Sequence, residues 1–154
     1  MRITGEVTAA LLLLLVVPQA AAEAFAIDIG RPRLHVVTRQ DVRIQCRTLK
    51  HDVEGCTEFL GEILATRCER RESDWHIAAV ARFIPYVYVI SAAVVAHEQL
   101  HVNDMTQQLQ TFLAELTSRS FPDESSCRGD AAFESAVFTL RMDVLRAESN
   151  RRLH

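Results

Sequence analysis

The chain has 154 residues, of which 49% are hydrophobic, and its 17 Lys and Arg against 20 Asp and Glu give a net charge of −3. No block of basic residues interleaved with aromatic ones is present, and this argues against nucleic acid as a partner. The length favours one domain with a real hydrophobic core.

The first two dozen residues are typical of a secretory signal peptide. An arginine near the start precedes the apolar run Ala9–Val17, and small residues of the A-x-A kind follow it. We predict cleavage near Ala22 or Ala24, which gives a signal peptide over 1–24 and a secreted or periplasmic domain over 25–154. Glu6, ahead of the apolar run, weakens the positive charge of this N-terminal flank. The alternative is therefore that the segment stays uncleaved and anchors the chain in the membrane.

Four cysteines follow this segment. An even number in an exported chain favours disulfides, and the sequence leaves all three pairings open. A zinc site made of four thiolates is the competing interpretation, but such sites usually contain a C-x2-C pair and none is present. We therefore predict two disulfides among Cys46, Cys56, Cys68 and Cys127.

The first half of the domain contains short β-branched runs and one amphipathic pattern. Residues 33–46 are predicted to form one or two strands, and residues 52–55 a turn. Residues 57–71 are predicted to form a helix that covers the core, with Thr57 as its N-cap. The apolar residues of this segment recur at helical spacing: Phe59, Leu60, Ile63, Leu64 and Cys68.

A β-branched and aromatic strand is predicted over 83–90, where Pro85 indicates an edge strand or the first residue of a strand. A membrane span over 77–96 is the alternative. Arg82 and Pro85 interrupt that span, and the unbroken stretch 86–96 is only about eleven residues, too short to cross a bilayer as a helix. We therefore expect no stable membrane span after signal cleavage.

Two long helices complete the predicted fold. The first covers about 92–118, a loop follows over 119–127, and the second covers 129–152 with Asp130 as its N-terminal acid. The predicted class is α+β: a small sheet packed on one long helix and on a second long helix antiparallel to the first.

The first long helix carries the motif His-Glu-Gln-Leu-His at 97–101. His97 and His101 lie about 40° apart on a helical wheel, on the face that also carries the apolar residues. Two imidazoles one turn apart can bind one zinc ion, and Glu98 can then act as the general base on a zinc-activated water. The alternative is a pair of buried core histidines satisfied by hydrogen bonds.

A catalytic zinc site usually has a third protein ligand. Asp104 is the nearest candidate in sequence, but it lies about 10.5 Å along the helix axis from His97, which is too far for a short side chain. Asp104 is better suited to orient His101 through a hydrogen bond, and the alternative is an ordinary polar residue of the helix.

Glu148 is the preferred third ligand, because an antiparallel hairpin brings this part of the second helix opposite the histidines. An ion pair of Glu148 with Arg82 or Arg151 is the alternative. His154 is a further candidate, as is Glu134, although the same hairpin places Glu134 near Phe112 and far from the histidines. Glu148 falls at the edge of an apolar arc formed by Phe133, Val137, Leu140 and Val144.

The sequence resembles the predicted secreted zinc-dependent proteases of bacteria. The matching pieces are the HExxH motif at 97–101, Ser126-Cys127, and Glu148-Ser149-Asn150. The resemblance implies a zincin-like peptidase. That family continues past the last helix into a short motif with Thr, His and Gly, whereas this sequence ends in Arg-Arg-Leu-His, so a truncated or divergent member is expected.

The predicted function is that of an exported zinc metallopeptidase acting on a peptide or protein substrate. By analogy with zincins, strand 83–90 would hold that substrate as an edge strand. One alternative is a non-catalytic, exported, disulfide-bonded binding module with a structural or residual metal site. Another is a small membrane-bound metallopeptidase, if both apolar stretches span the bilayer.

Overall fold

The computed structural model describes residues 24–153, so the predicted signal peptide, apart from Ala24, and His154 lie outside the described residues. Helices and one sheet occur together, which confirms the mixed composition of the predicted fold. The elements in chain order are β1 Phe25–Ile29, β2 Arg33–Val36, α1 Arg39–Gln45, β3 Gly55–Arg71, β4 Asp74–Val89, a 3₁₀ turn Ala92–Val94, α2 Val95–Ser118 and α3 Glu124–Leu153.

Strand β4 is the centre of the sheet. It pairs antiparallel with β3 along one side and parallel with β1 and then β2 along the other. The prediction that 83–90 is an edge strand is therefore wrong, and within the described residues β3 forms an edge of the sheet instead.

Pro85 is tolerated inside this central strand because of where its nitrogen lies. Gly30 N donates to Phe83 O and Val37 N donates to Val89 O, both at 2.9 Å, so alternate residues of β4, Pro85 included, face β1 and β2. The missing N–H of Pro85 falls where β1 has ended and β2 has not yet begun.

The predicted helix over 57–71 is a strand, and a β-bulge explains the error. The register of β3 against β4 shifts between Leu60 and Ile63, and Gly61 there has φ 67°. In a regular strand, only residues an even number of positions apart share a face. The extra residues at the bulge change this, so Phe59 and Leu64 are both buried although they are five positions apart. The resulting spacing imitates a helical one.

The predicted strands over 33–46 are only partly present. Strand β2 takes the first four residues, and α1 takes most of the rest. A capping box begins α1: Thr38 Oγ1 accepts from Asp41 N at 3.2 Å, and the Asp41 carboxylate accepts from Thr38 N at 3.3 Å.

The core lies between one face of the sheet and the two long helices, as predicted. Phe59 and Phe83 meet there edge to face with ring centroids 5.3 Å apart. Each such buried side chain contributes about 1.5–3 kcal/mol to stability. Helix α2 supplies the following buried residues: Val102, Met105, Leu109, Phe112, Leu113 and Leu116.

Both predicted disulfides are present, and the structure resolves their pairing. Cys46 at the end of α1 is bonded to Cys56 in β3, and Cys68 in β3 is bonded to Cys127 in α3. The described residues contain no free cysteine.

Helix α3 begins five residues earlier than predicted and buries a different face. Asp123 accepts a 2.8 Å hydrogen bond from Ser126 N at its start, whereas Asp130 lies in the second turn and pairs with Arg119. The predicted apolar arc points outward, with Phe133 61%, Leu140 67% and Val144 56% exposed. The face that packs inward contains Cys127, Ala131, Glu134, Phe138, Met142 and Ser149.

Within residues 24–153, no helix combines the length and the apolar character needed to cross a membrane.

Candidate metal centre

The first turns of α2 bring three potential metal ligands together. The imidazole rings of His97 and His101 lie with centroids 5.1 Å apart and planes at 86°. One ligand atom from each of His97, Glu98 and His101 lies within 4.8 Å of the other two. This group could hold a metal ion, because imidazole nitrogens and carboxylate oxygens are ordinary ligands of divalent metals.

Glu98 is buried, with 1% of its surface exposed, and β3 supplies its partner. Thr57 Oγ1 donates a 2.9 Å hydrogen bond to Glu98 Oε2 and lies 3.3 Å from the backbone oxygen of Glu98. Burial raises the pKa of Glu98, although the Thr57 hydrogen bond and the nearby His97 act in the opposite direction. A carboxylate in this environment has a stronger affinity for a proton than one in water.

Gly55 provides the space that the Glu98 carboxylate occupies. A Cβ atom at position 55 would lie 2.9 Å from Glu98 Oε1 and 3.1 Å from the backbone oxygen of Tyr88. The first distance is below any ordinary contact, so a larger residue at position 55 would force the carboxylate to move.

His101 is buried and contacts helix α3. Its Nδ1 atom lies 3.2 Å from Ser149 Oγ, and the exposed fractions of the two residues are 4% and 1%. The two long helices therefore meet at one of the candidate ligands.

A cleft of about 1010 Å³ opens above these residues. Helix α2 forms one wall, and the segment 46–57, which carries the Cys46–Cys56 disulfide, forms another. Asn150 and Arg151 of α3 also line the cleft. The cleft is large enough for a short stretch of peptide, since ligand clefts of about 300–1,000 Å³ enclose drug-sized molecules.

The structure does not bring the predicted third ligand into the group. Glu148 lies on the solvent side of α3 with 39% of its side chain exposed, 3.8 Å from Arg151, which is one of its two alternative partners. The hairpin alignment placed the wrong face of α3 inward, and Ser149 takes the inward position instead. The assignment of Glu148 as a zinc ligand finds no support in this geometry.

The other candidates are engaged elsewhere. Asp104 pairs with Arg152 at 2.7 Å, a contact that the sequence did not predict. Glu134, 3% exposed, is held between Arg119 at 2.9 Å and Arg141 at 2.7 Å. Neither belongs to the group of ligand atoms that the structure brings together.

Sequence reasoning missed three residues of the site. Thr57 was interpreted as a helix cap, and Gly55 as part of a turn, because the strand β3 was not recognised. Ser149 stood out only as the middle residue of the Glu148-Ser149-Asn150 run. A buried face that starts at Cys127 and recurs at helical spacing would have led to Ser149.

No protein-family model, curated protein or solved structure matches this chain.

Proposed function

We propose that this protein is an exported, zincin-like zinc peptidase. The observation that carries the proposal is the group formed by His97, Glu98 and His101, whose ligand atoms lie within 4.8 Å of one another beside a cleft of about 1010 Å³. The two disulfides fit the oxidising environment of an exported protein.

The donor set suits zinc. Two imidazoles one helical turn apart and a neighbouring carboxylate are the residue types found in catalytic zinc sites. When bound, zinc would act as a Lewis acid toward the carbonyl of the scissile peptide bond. His97 and His101 would hold it, and the further positions would be left to water and substrate.

Glu98 would act as the general base and then as the general acid. Its carboxylate takes a proton from the attacking water and delivers that proton to the nitrogen of the leaving amine. A C–O bond forms and the C–N bond breaks. The proton that the water loses is the one that the amine gains, so Glu98 ends the reaction ionised, as it began. Thr57 and Gly55 fix the carboxylate in place, one by a hydrogen bond and the other by its lack of a Cβ atom.

The beginning of β3 is the strand best placed to bind a peptide. Ile90 N donates to Glu54 O at 2.9 Å, so the backbone groups of Gly55 and Thr57, which alternate with Glu54, point away from β4. No described strand pairs with that side of β3. An extended substrate can add to this edge next to Glu98, as peptides do at exposed sheet edges.

A second candidate is a non-catalytic binding module with a structural metal site. The burial of Glu98 and His101, 1% and 4% exposed, favours it, because closed structural sites exclude water. In that case Glu98 serves as an anchor for Thr57 and not as a base.

The test is hydrolysis of a quenched-fluorescence peptide library by the zinc-loaded chain beside two variants on α2. Glu98→Gln removes the base, whereas Glu115→Gln alters an exposed carboxylate of the same helix. The proposal predicts that Glu115→Gln cleaves peptides like the wild type and that Glu98→Gln binds zinc without cleaving. Equal zinc binding by all three proteins without cleavage by any would favour the binding module.

A further inference from the structure

A second opening, which we call the basic groove, runs along α1 and the loop that follows it. Its volume is about 610 Å³, and the described residues that line it include no carboxylate. Arg47 and Thr48 line both this groove and the cleft beside Glu98, so the two openings adjoin. The lining of the basic groove includes three arginines and two exposed apolar side chains: Arg39, Arg43, Arg47, Ile44 and Leu49.

The positive charge of the basic groove is not neutralised by the protein itself. In the described part of the chain most arginines form an ion pair with a carboxylate, but neither Arg43 nor Arg47 does. The Nε atom of Arg43 is buried and has no hydrogen-bond partner among those residues. Arg47 acts on Glu58 only through space, since Glu58 forms its ion pair with an arginine of α3. The groove therefore presents its charge to an external anion.

Arg47 occupies a backbone position that glycine normally takes. It follows Cys46, the C-cap of α1, and its φ of 48° lies in the left-handed region. Its N–H donates to Ile44 O at 3.2 Å, and Thr48 N donates to Arg43 O at 3.1 Å. These two bonds form a Schellman motif, in which the residue after the cap is usually glycine because a Cβ atom is strained there. A long cation without an ion pair at such a position is better explained by what it binds than by the stability of the turn.

The chemistry of the basic groove selects an acidic segment of peptide. Guanidinium groups bind carboxylates through charge-assisted hydrogen bonds. Ile44 and Leu49, 61% and 89% exposed, add apolar contacts for a neighbouring aliphatic side chain. A nucleic acid or an anionic membrane would have to approach a chain whose net charge is −3, whereas a short peptide has to match only the groove.

We infer that the basic groove binds an acidic stretch of the peptide that lies in the adjoining cleft, with Arg43 and Arg47 as its main contacts. That this peptide is a substrate rests on the proposed function, whereas the binding of acidic peptides does not require catalysis. The Cys46–Cys56 disulfide joins the end of α1 to β3 and so fixes the groove beside the cleft. Because the groove lies outside the reacting bond, its contacts act equally on bound substrate and transition state, so they lower KM and leave kcat unchanged.

Fluorescence polarisation tests this binding without catalysis. The probes are a rhodamine-labelled peptide that carries glutamates and a leucine, and the same peptide with glutamines in place of the glutamates, each titrated with the metal-free wild-type chain. We expect tighter binding of the glutamate peptide, and added salt should weaken this preference because the charges are exposed. Arg47→Gly and Arg43→Gln should each weaken binding of the glutamate peptide by about 2–5-fold, the usual effect of losing one exposed ion pair. Binding of the glutamine peptide should not change.

Glu72→Gly and Arg70→Gln are the matched controls. Glu72 is the other non-glycine residue with a positive φ, 52°, among those described, and it lies in the turn at the far end of β3 from Cys56. Its replacement therefore relieves the same kind of strain away from the basic groove. Arg70 is an exposed arginine of β3 that lines neither opening. Neither glycine variant should lower the urea midpoint, but only Arg47→Gly should lose affinity for the glutamate peptide.

The outcomes separate the groove from the peptidase. Equal affinity of the wild type for the two peptides, or a loss in Arg70→Gln as large as in Arg47→Gly, would overturn the inference. Tighter binding of single-stranded DNA, or of phosphatidylcholine–phosphatidylglycerol vesicles, than of the glutamate peptide would also overturn it. A preference for the glutamate peptide in a chain that cleaves no peptide would support the inference while contradicting the proposed function. In a chain that cleaves both peptides, Arg47→Gly should raise KM for the glutamate peptide alone, and a fall in kcat with KM unchanged would overturn the inference.

Discussion

Thr57 Oγ1 donates a 2.9 Å hydrogen bond to the carboxylate of Glu98, which ties β3, at the edge of the sheet, to the first turn of α2. Both residues are buried, with 7% and 1% of their surface exposed. Because the carboxylate belongs to the group that could hold a metal ion, this bond links the fold of the sheet to the geometry of the site.

Replacing Thr57 with Val should destabilise the chain by about 1.5–3 kcal/mol, because a hydrogen bond to a buried charged group is lost while the shape of the side chain is kept. Thr57→Ser retains the hydroxyl and should lose less. Urea unfolding of the two variants beside the wild type measures the difference. A valine variant as stable as the serine variant would show that Glu98 does not depend on this bond.

Replacing Gly55 with Ala should impair catalysis more than stability. The new Cβ would lie 2.9 Å from Glu98 Oε1, the end of a side chain, and displacing that carboxylate should lower kcat/KM for a peptide by about 10–100-fold. Gly129→Ala is the control, since a Cβ in α3 at that position meets nothing within 4 Å and should stabilise the helix by about 0.5–1 kcal/mol. Unchanged peptidase activity in Gly55→Ala would argue against Glu98 as the base.

Local patterns predicted the helix that carries the site and the mixed fold, and the even number of cysteines predicted two disulfides. The HExxH motif lies within a single helix, so its three side chains are brought together by helix geometry alone. The pairing of Cys46 with Cys56 and of Cys68 with Cys127 depends on tertiary structure and could not be predicted.

The errors came from segments where two patterns overlap. The bulge at Gly61 gave β3 a helix-like spacing, and only the strand partners decide against a helix. Helix α3 carries two apolar faces, and the exposed one contains the larger residues, such as Phe133 and Leu140. The prediction assumed that this larger face packs inward. It therefore placed Glu148 beside the histidines, where the structure has Ser149.

The Asp104–Arg152 pair should make stability depend on acid. Burial acts to raise the pKa of Asp104, but hydrogen bonds from Arg152, Ser149 and Gln108 outweigh it and lower this pKa below its usual range. A lowered folded-state pKa gives stability that is present above the unfolded pKa near 3.8 and is lost as the pH falls through the folded value. In urea titrations between pH 6 and about pH 3, the wild type should therefore lose more free energy of unfolding than Asp104→Asn; parallel curves would contradict this.

The two disulfides should have different roles. Cys68–Cys127 spans 59 residues and joins β3 to α3 in the core, whereas Cys46–Cys56 spans 10 residues in the cleft wall. Loop-closure entropy predicts a loss of about 4 kcal/mol for the first double Cys→Ala variant and about 3 kcal/mol for the second. Below the melting temperature of both variants, peptide hydrolysis should fall mainly in Cys46→Ala/Cys56→Ala. An equal fall in peptide hydrolysis in the two variants would mean that the Cys46–Cys56 disulfide does not shape the cleft.

Zinc content by mass spectrometry, on the purified chain beside a His97→Ala variant, tests the central claim most directly. We predict one zinc ion per wild-type chain and its loss in the variant, with the fold retained by circular dichroism. A folded wild type that holds no zinc, even after zinc is added, would contradict the account and leave His97, Glu98 and His101 as part of an ordinary helix face.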